Sequence, residues 1–520
     1  MLLLGLPWIA MAQEKPIPPA APEKVADETF DILEYAIEGN SVLPALAIEQ
    51  AVYPHLGEKK TIQDVDKAKE ALEKAYHAAG YLTVFVDIPE QDIKGNVVRL
   101  SVTEGQVERL KVSGSRYFSL GHIKSKTPEL AEGSVPYFPQ AQKQLAAVSR
   151  TADRRVTPVL RPGNSPGKVQ VELKVEDQVP LHGSVELNNR QSANTTATRL
   201  VGSLRYDNLW QREHSISMLY QTAPQKTDES QVFSLNYVIP RENGDYVAFY
   251  GVKSNSDTAA VGDVSVIGQG RIFGLRYIRP LRSRTGFFHT LTAGWDYKQF
   301  DDTVTLLGAD SFKTPILYRP MLLGYEATWQ GESRNTELGA TFNFAARGLG
   351  NREAQFAQKR SNARPNYGYM RLNLKHEEKF SGYTLAARAT AQLAGAPLIS
   401  NEQFSAGGAD TVRGYLESEI LGDAGYIGSL ELRTPPLSRE PLSLWNKTYA
   451  LAFIEGAQLK VLEPLPQQTA RFDISSSGLG LRMKIAKGFN VNFDVALPFK
   501  KTTYTRAHDP RLHARLSYEF

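Results

Sequence analysis

From about His182 to the C-terminus the chain is made of sixteen short segments in which apolar and polar residues alternate, and the last segment ends on Phe520. In that segment Leu512, Ala514, Leu516, Tyr518 and Phe520 fall on one face of a strand, and Arg511, His513, Arg515, Ser517 and Glu519 on the other. Strand side chains repeat every two residues, so one face suits lipid and the other water. A bilayer core offers backbone N–H and C=O groups no water, so a chain without long apolar helices crosses it only as a closed barrel. The segments lie near His182, Arg199, Ser215, Gln231, Asp245, Gly270, Phe288, Leu322, Arg334, Tyr367, Tyr383, Ala424, Lys447, Ser475, Phe489 and Arg511. Their number is even, as in bacterial barrels. The expected fold is α+β modules followed by an all-β, sixteen-stranded transmembrane barrel over residues 179–520.

Composition does not oppose this. Apolar residues make up 42% of the 520. Mean hydropathy is negative, which argues against a helical membrane protein but not against a barrel, where only alternate strand residues meet lipid. The net charge of +4 comes from 60 basic and 56 acidic residues without blocks of either sign, so nothing points to a nucleic-acid partner. Cysteine is absent, which excludes disulfides and thiolate metal sites and suits an oxidising compartment.

The N-terminus carries an apolar run from Leu2 to Met11 with an A-x-A pattern at Ala10-Met11-Ala12. This reads as a signal peptide over residues 1–12, cut short at its basic end, and implies export through the inner membrane. Residues 13–27 hold Pro16, Pro18, Pro19 and Pro22 and read as a tether.

A small α/β module is expected over 28–106, with a strand ending at Gly39-Asn40 and a helix near 45–55. The second helix is opened by Thr61-Ile62-Gln63-Asp64, a capping-box pattern, and closed by Gly80. Strands at 83–88 and 97–103 complete a β-α-α-β-β order. The same order recurs over 107–178, with strands at 107–112, 155–160 and 168–175 and a helix at 139–149.

Enzyme signatures fail on inspection. Gly163-Asn164-Ser165-Pro166-Gly167-Lys168 is one residue short of a phosphate loop and continues with Val169. His376-Glu377-Glu378 begins like a zincin motif, but position 380 is Phe. The nine histidines show no metal-ligand spacing. No catalytic residue, metal or cofactor is expected.

The longest gap between barrel segments, 395–423, holds Gly407-Gly408-Ala409-Asp410-Thr411-Val412-Arg413-Gly414-Tyr415. A connection of that length is usually functional. Taken alone, an Arg among small residues on a loop is an ordinary solvated charge. Its context says more. Val412-Arg413-Gly414-Tyr415 before the twelfth strand of a sixteen-stranded barrel resembles the signature of the outer-membrane insertase and translocator superfamily. The two leading modules, with Val102-Thr103-Glu104-Gly105 and Val112-Ser113-Gly114 at their junction, resemble periplasmic POTRA domains. Together they are similar to the two-partner-secretion transporters, also called haemolysin secretion/activation proteins. Leu181-His182-Gly183, Leu187-Asn188-Asn189, Tyr206-Asp207-Asn208-Leu209 and Gly478-Leu479-Gly480-Leu481-Arg482 extend the resemblance along the barrel.

The resemblance implies that the loop folds into the lumen and that Arg413 meets an acid of an F-x-D-G motif on the thirteenth strand. Here that motif reads Phe453-Ile454-Glu455-Gly456, with Glu where the family has Asp. Phe453 and Glu455 share one face by period two, and a guanidinium can hold a carboxylate through two parallel hydrogen bonds. Family members can also carry an N-terminal plug helix. The prolines of residues 13–27 leave no room for one, so either the plug is absent or the N-terminus begins further upstream.

The implied activity is export of a large secreted exoprotein, of adhesin or cytolysin type, through the outer membrane in unfolded form, with the POTRA modules in the periplasm. The implied partners are that exoprotein, outer-membrane lipid and, during biogenesis, the barrel assembly machinery. Two alternatives share features with it: a barrel insertase, which usually has more POTRA modules, and a passive channel, which needs none.

Overall fold

The computed structural model describes residues 29–520 apart from 94, 257, 262–263, 306–310 and 438–446. The signal-peptide pattern, the tether and any plug lie outside the described residues. The chain forms two compact units, one reaching to Gln178 and the other spanning Val179–Phe520.

The first unit contains two copies of one topology. In the first copy β2 (Glu34–Glu38) runs parallel to β5 (Val97–Glu104), and β4 (Val84–Asp87) pairs antiparallel with its other edge. Helices α1 (Ala45–Val52) and α2 (Ile62–Ala79) cover the sheet. Sequence reading missed a small accessory pair, β1 (Phe30–Ile32) with β3 (Gly57–Lys60), because three or four residues carry too little periodicity to see. In the second copy β6 (Gln106–Ser113) runs parallel to β8 (Lys168–Asp177), and β7 (Arg154–Pro162) is antiparallel to it. Helices α3 (Leu120–Ser125) and α4 (Phe138–Val148) accompany them; α3 is a second short element without a sequence signal.

Local chemistry explains the elements. Thr61 N–H donates to the Asp64 carboxylate at 3.0 Å, closing the capping box of α2, and Gly80 ends the helix in the left-handed region at φ +101°. Val65, Ala68, Leu72 and Tyr76 of α2 are buried against the sheet. Two devices repeat between the copies. Gly39 and Gly114, at φ +89° and +88°, turn the chain where a Cβ would strike the carbonyl oxygens of Val102 and Val175. Beside them, Glu104 accepts the amides of Ser41 and Val42, while Asp177 accepts those of Arg116 and Tyr117. The copies abut where Phe138 N–H donates to Gly80 O at 3.0 Å and the Tyr81 and Tyr137 rings lie 5.4 Å apart.

The second unit is a closed barrel of sixteen strands. In order round the ring they are Leu181–Asn188, Arg199–Leu209, His214–Thr222, Gln231–Pro240, Tyr246–Ser254, Gly270–Pro280, Phe287–Thr305, Met321–Gln330, Arg334–Phe344, Gly368–Phe380, Tyr383–Ala394, Ala424–Arg433, Thr448–Lys460, Arg471–Ala486, Phe489–Pro498 and Arg511–Glu519. The last pairs antiparallel with the first, from Arg515↔Asn188 to Glu519↔Ser184. Ser311–Tyr318 is an additional strand that pairs only with the far half of the seventh, so the hairpin they form projects beyond the ring.

Alternation sets the two faces. Leu187, Met218, Phe249, Trp295, Leu323, Leu430, Leu479 and Leu516 are exposed on the outer surface, whereas Asp296, Gln392, Glu431, Asp494, His513 and Ser517 are buried inside. The exposed apolar belt is the lipid surface. Turns such as 381–382 and 487–488 are tight, while residues 345–367 (loop 5), 395–423 (loop 6) and 461–470 (loop 7) form long connections at the other end. Bacterial barrels put short turns in the periplasm and long loops outside.

Candidate functional site in the barrel lumen

Loop 6 is a hairpin within the barrel. Phe404–Ala406 pairs antiparallel with Ile420–Gly422, and the tip between them turns on Gly407, Gly408 and Gly414, at φ +110°, +105° and +95°. At Gly408 a Cβ would sit 2.3 Å from the Glu417 carboxylate, so the turn closes only around glycine. Val412 and Tyr415 are fully buried. Val412 belongs to a cluster with Phe404, Ile427, Ala457, Leu459 and Ile474, which ties the tip to strands twelve to fourteen. The Tyr415 hydroxyl lies 3.0 Å from the carbonyls of Ser475 and Lys500 and accepts the Lys500 N–H at 3.1 Å. Gly414 N–H donates to His513 Nε2 at 2.9 Å.

Arg413 is 4% exposed and is surrounded by acids from three strands. Its Nε and Nη2 donate to Glu455 Oε1 at 3.0 and 2.6 Å, and its own backbone N–H donates to Glu455 Oε2 at 2.7 Å. Nη2 also reaches Glu431 Oε2 at 3.0 Å, and Nη1 reaches Asp494 Oδ1 at 3.1 Å. The guanidinium carbon stacks 3.4 Å from the centre of the Phe453 ring, where the ring face attracts a cation. Phe453 and Glu455 thus hold one side chain through their shared lumen face. Glu455 does not grip it by two oxygens in parallel. One oxygen takes two guanidinium hydrogens and the other takes the backbone amide.

The fourteenth strand makes space for this. A Cβ on Gly478 would lie 2.4 Å from Phe453 Cζ, and one on Gly480 would lie 2.1 Å from Asp494 Oδ1. The two glycines therefore seat the ring and the acid. Arg482, on the same face, holds Asp494 through Nη1 to Oδ1 at 2.9 Å and Nη2 to Oδ2 at 3.0 Å. Leu481 and Gly456 alternate onto the opposite, outer face and do not join the site. Phe520 lies at the seam, exchanging two 3.0 Å backbone hydrogen bonds with Gly183.

Glu431, Asp494 and His513 were missed by sequence reasoning. Alternation puts them on the lumen face, but their depth relative to the tip is set by inter-strand register, which alternation alone does not fix. The ion pairs continue toward the short-turn end of the barrel: Glu431 also accepts Arg433 Nε at 2.7 Å, and Arg433 Nη1 reaches Glu377 at 2.9 Å. On the other side of the tip, Asp410 accepts Arg190 Nη2 at 2.7 Å.

A sixteen-stranded, lipid-belted barrel with a buried arginine loop, preceded by two β-α-α-β-β modules, is the architecture of an outer-membrane barrel with leading POTRA-like modules. The family profile "Haemolysin secretion/activation protein ShlB/FhaC/HecB" matches residues 167–483, and "POTRA domain, ShlB-type" matches residues 30–105. The chain belongs to the ShlB/FhaC/HecB family and is an outer-membrane protein. Among curated relatives, the outer membrane transporter CdiB of Dickeya dadantii is 24% identical over 156 residues, 30% of this chain and 27% of that protein. The heme/hemopexin transporter protein HuxB of Haemophilus influenzae is 18% identical over 462 residues, 85% of this chain and 79% of that one. The first of these matches therefore spans little more than a quarter of the relative. Of solved structures, CdiB from Escherichia coli superposes with a TM-score of 0.64 at 18% identity, covering 97% of this chain and 93% of that one. BamA from Haemophilus ducreyi lacking POTRA domains 1–3 gives 0.57 at 13%, covering 94% and 100%. Both likenesses show the fold.

Proposed function

We propose that this protein exports a large partner protein across the outer membrane in unfolded form, by two-partner secretion. The periplasmic modules capture the partner as an extended segment added to a sheet edge, where main-chain hydrogen bonds give affinity with little demand on sequence. The barrel passes it, since a sixteen-stranded ring encloses an aqueous lumen wide enough for an extended chain. The observation that carries the reading is the seating of Arg413. Of its three acids, Glu431 keeps Arg433 and Asp494 keeps Arg482 when the loop leaves. Only Glu455 loses its cation, and Ser429 Oγ remains beside it at 3.0 Å. A loop whose departure leaves one acid, Glu455, without its cation suits a pore that can clear itself and close again.

The same fold in BamA supports an insertase as the second reading. Deleting residues 28–104 separates the two and tests the first. The expected outcome is a folded barrel in the membrane, no export of the partner exoprotein, and unchanged levels of other outer-membrane barrels. Continued export would rule the capture step out, and loss of the other barrels would favour the insertase.

A further inference from the structure

Loop 5 spans a wide arc of the outer mouth. It leaves the ninth strand and returns to the tenth, yet its contacts reach from the hairpin of the seventh strand to the loop after the thirteenth. On the near side Arg319 N–H donates to Asn351 Oδ1 at 2.8 Å, and Leu317 N–H donates to Gln355 Oε1 at 3.2 Å. On the far side there is Arg360. Its Nη1 donates to Leu398 O at 2.6 Å, its Nη2 donates to Leu462 O at 2.9 Å, and both grip Asp423, the Nη2–Oδ2 distance being 2.7 Å.

Asp423 is fully buried at the base of loop 6. It also accepts the amides of Leu398 and Leu462 at 3.0 and 2.6 Å and the Gln403 side chain at 3.1 Å. Its oxygens therefore stay hydrogen-bonded to loops 6 and 7 whether or not Arg360 is present. The short helix of loop 5, Glu353–Lys359, buries one side chain, Phe356, whose ring lies 5.8 Å from Tyr318 and 6.0 Å from Tyr367. Leu398 and Ile399 of the loop 6 stem complete this apolar layer, and Glu402 beneath them takes Lys298, Tyr318 and Tyr369 at 2.6 to 2.7 Å.

We propose that loop 5 is an outer lid, pinned at Asn351 and Gln355 and latched by Arg360 on Asp423, and that Arg360 is the positioning residue whose release opens the outer mouth independently of the Arg413 tip. The lid's purpose rests on the export reading; its test does not. The latch and the tip are separate devices. The tip is held by strands twelve to sixteen and the latch by loops 6 and 7, and they share no acid.

The chain has no cysteine, so one introduced thiol reports on one place. Ala345→Cys puts it in the apolar layer at the base of loop 5, and Ala496→Cys puts it beside Gly414 at the tip. Whole cells carrying the full-length protein are treated with a membrane-impermeant maleimide. In the Arg360→Ala background, labelling at position 345 should speed up on the order of tenfold and labelling at 496 should not change. Arg360→Lys, which keeps the charge, should restore most of the protection. If Arg360→Ala does not assemble, Arg360→Gln serves, since it drops the charge but keeps donors for the carbonyls. An unchanged rate at 345 in a folded barrel overturns the lid, and so does an equal rise at both positions, which would make Arg360 a general support. No partner protein is needed, so a failed lid and a failed export reading are told apart.

Discussion

At the residue scale the centre is Arg413, a single cation shared by Glu431, Glu455 and Asp494. Removing one partner of a buried pair costs about 3–5 kcal/mol when the remaining charge has no other partner. That condition holds for Glu455 but not for Asp494, which keeps Arg482. Arg413→Ala and Glu455→Gln should therefore each impair export at matched barrel levels. Their double change should cost less than the sum, with a coupling of about 2–3 kcal/mol in a double-mutant cycle on barrel unfolding. The cycle of Arg413→Ala with Asp494→Asn should show a much smaller coupling. Equal couplings, or strict additivity at Glu455, would mean that the tip is held by packing instead. Phe453 and Glu455 were legible because the resemblance to the F-x-D-G motif pointed to them and period two puts them on one face. The two further acids were not, because depth within the lumen depends on register between strands.

At the element scale the fourteenth strand shows how two missing side chains build a site. Gly478 and Gly480 face inward among bulky neighbours, whereas Gly428 of the twelfth strand faces open space. Gly480→Ala should displace Asp494 from Arg482 and Arg413. Overpacking of this kind costs about 1–3 kcal/mol, visible as a lower urea midpoint for the heat-modifiable barrel band. Gly428→Ala should leave the midpoint unmoved, and a matching fall there would point to strand propensity rather than crowding. Long elements were the ones sequence reading could see. All sixteen ring strands, and α2 with its Thr61 and Gly80 ends, announce themselves by period and punctuation. Short ones such as β1, β3 and α3 do not. Nor does the pairing of Glu104 with Asp177 as equivalent amide acceptors, since their surrounding sequences differ and only their place at a strand end is shared.

At the scale of the whole molecule, a barrel is as strong as its weakest seam, and the first and last barrel strands meet at one. The sixteenth and first strands share five register pairs, from Arg515↔Asn188 to Glu519↔Ser184, while each has eight with its other neighbour. The deficit is offset by side chains and by the terminus itself. Asn189 extends the ladder, donating to Leu512 O at 2.7 Å and accepting Ala514 N–H at 2.8 Å. Phe520 adds two backbone hydrogen bonds to Gly183 and lays its ring over that glycine, where a Cβ would come within 2.2 Å of Cζ. Gly183 is thus the place where the terminal aromatic closes the ring, and a side chain there pushes the ring away. Gly183→Val should lower the temperature at which the folded band converts to the unfolded one on a gel, as deletion of Phe520 should, and the two together should do little more than either alone. A conversion temperature unchanged by Gly183→Val, or fully additive falls, would show that the seam is held by Asn189 and the five paired residues without help from the terminus.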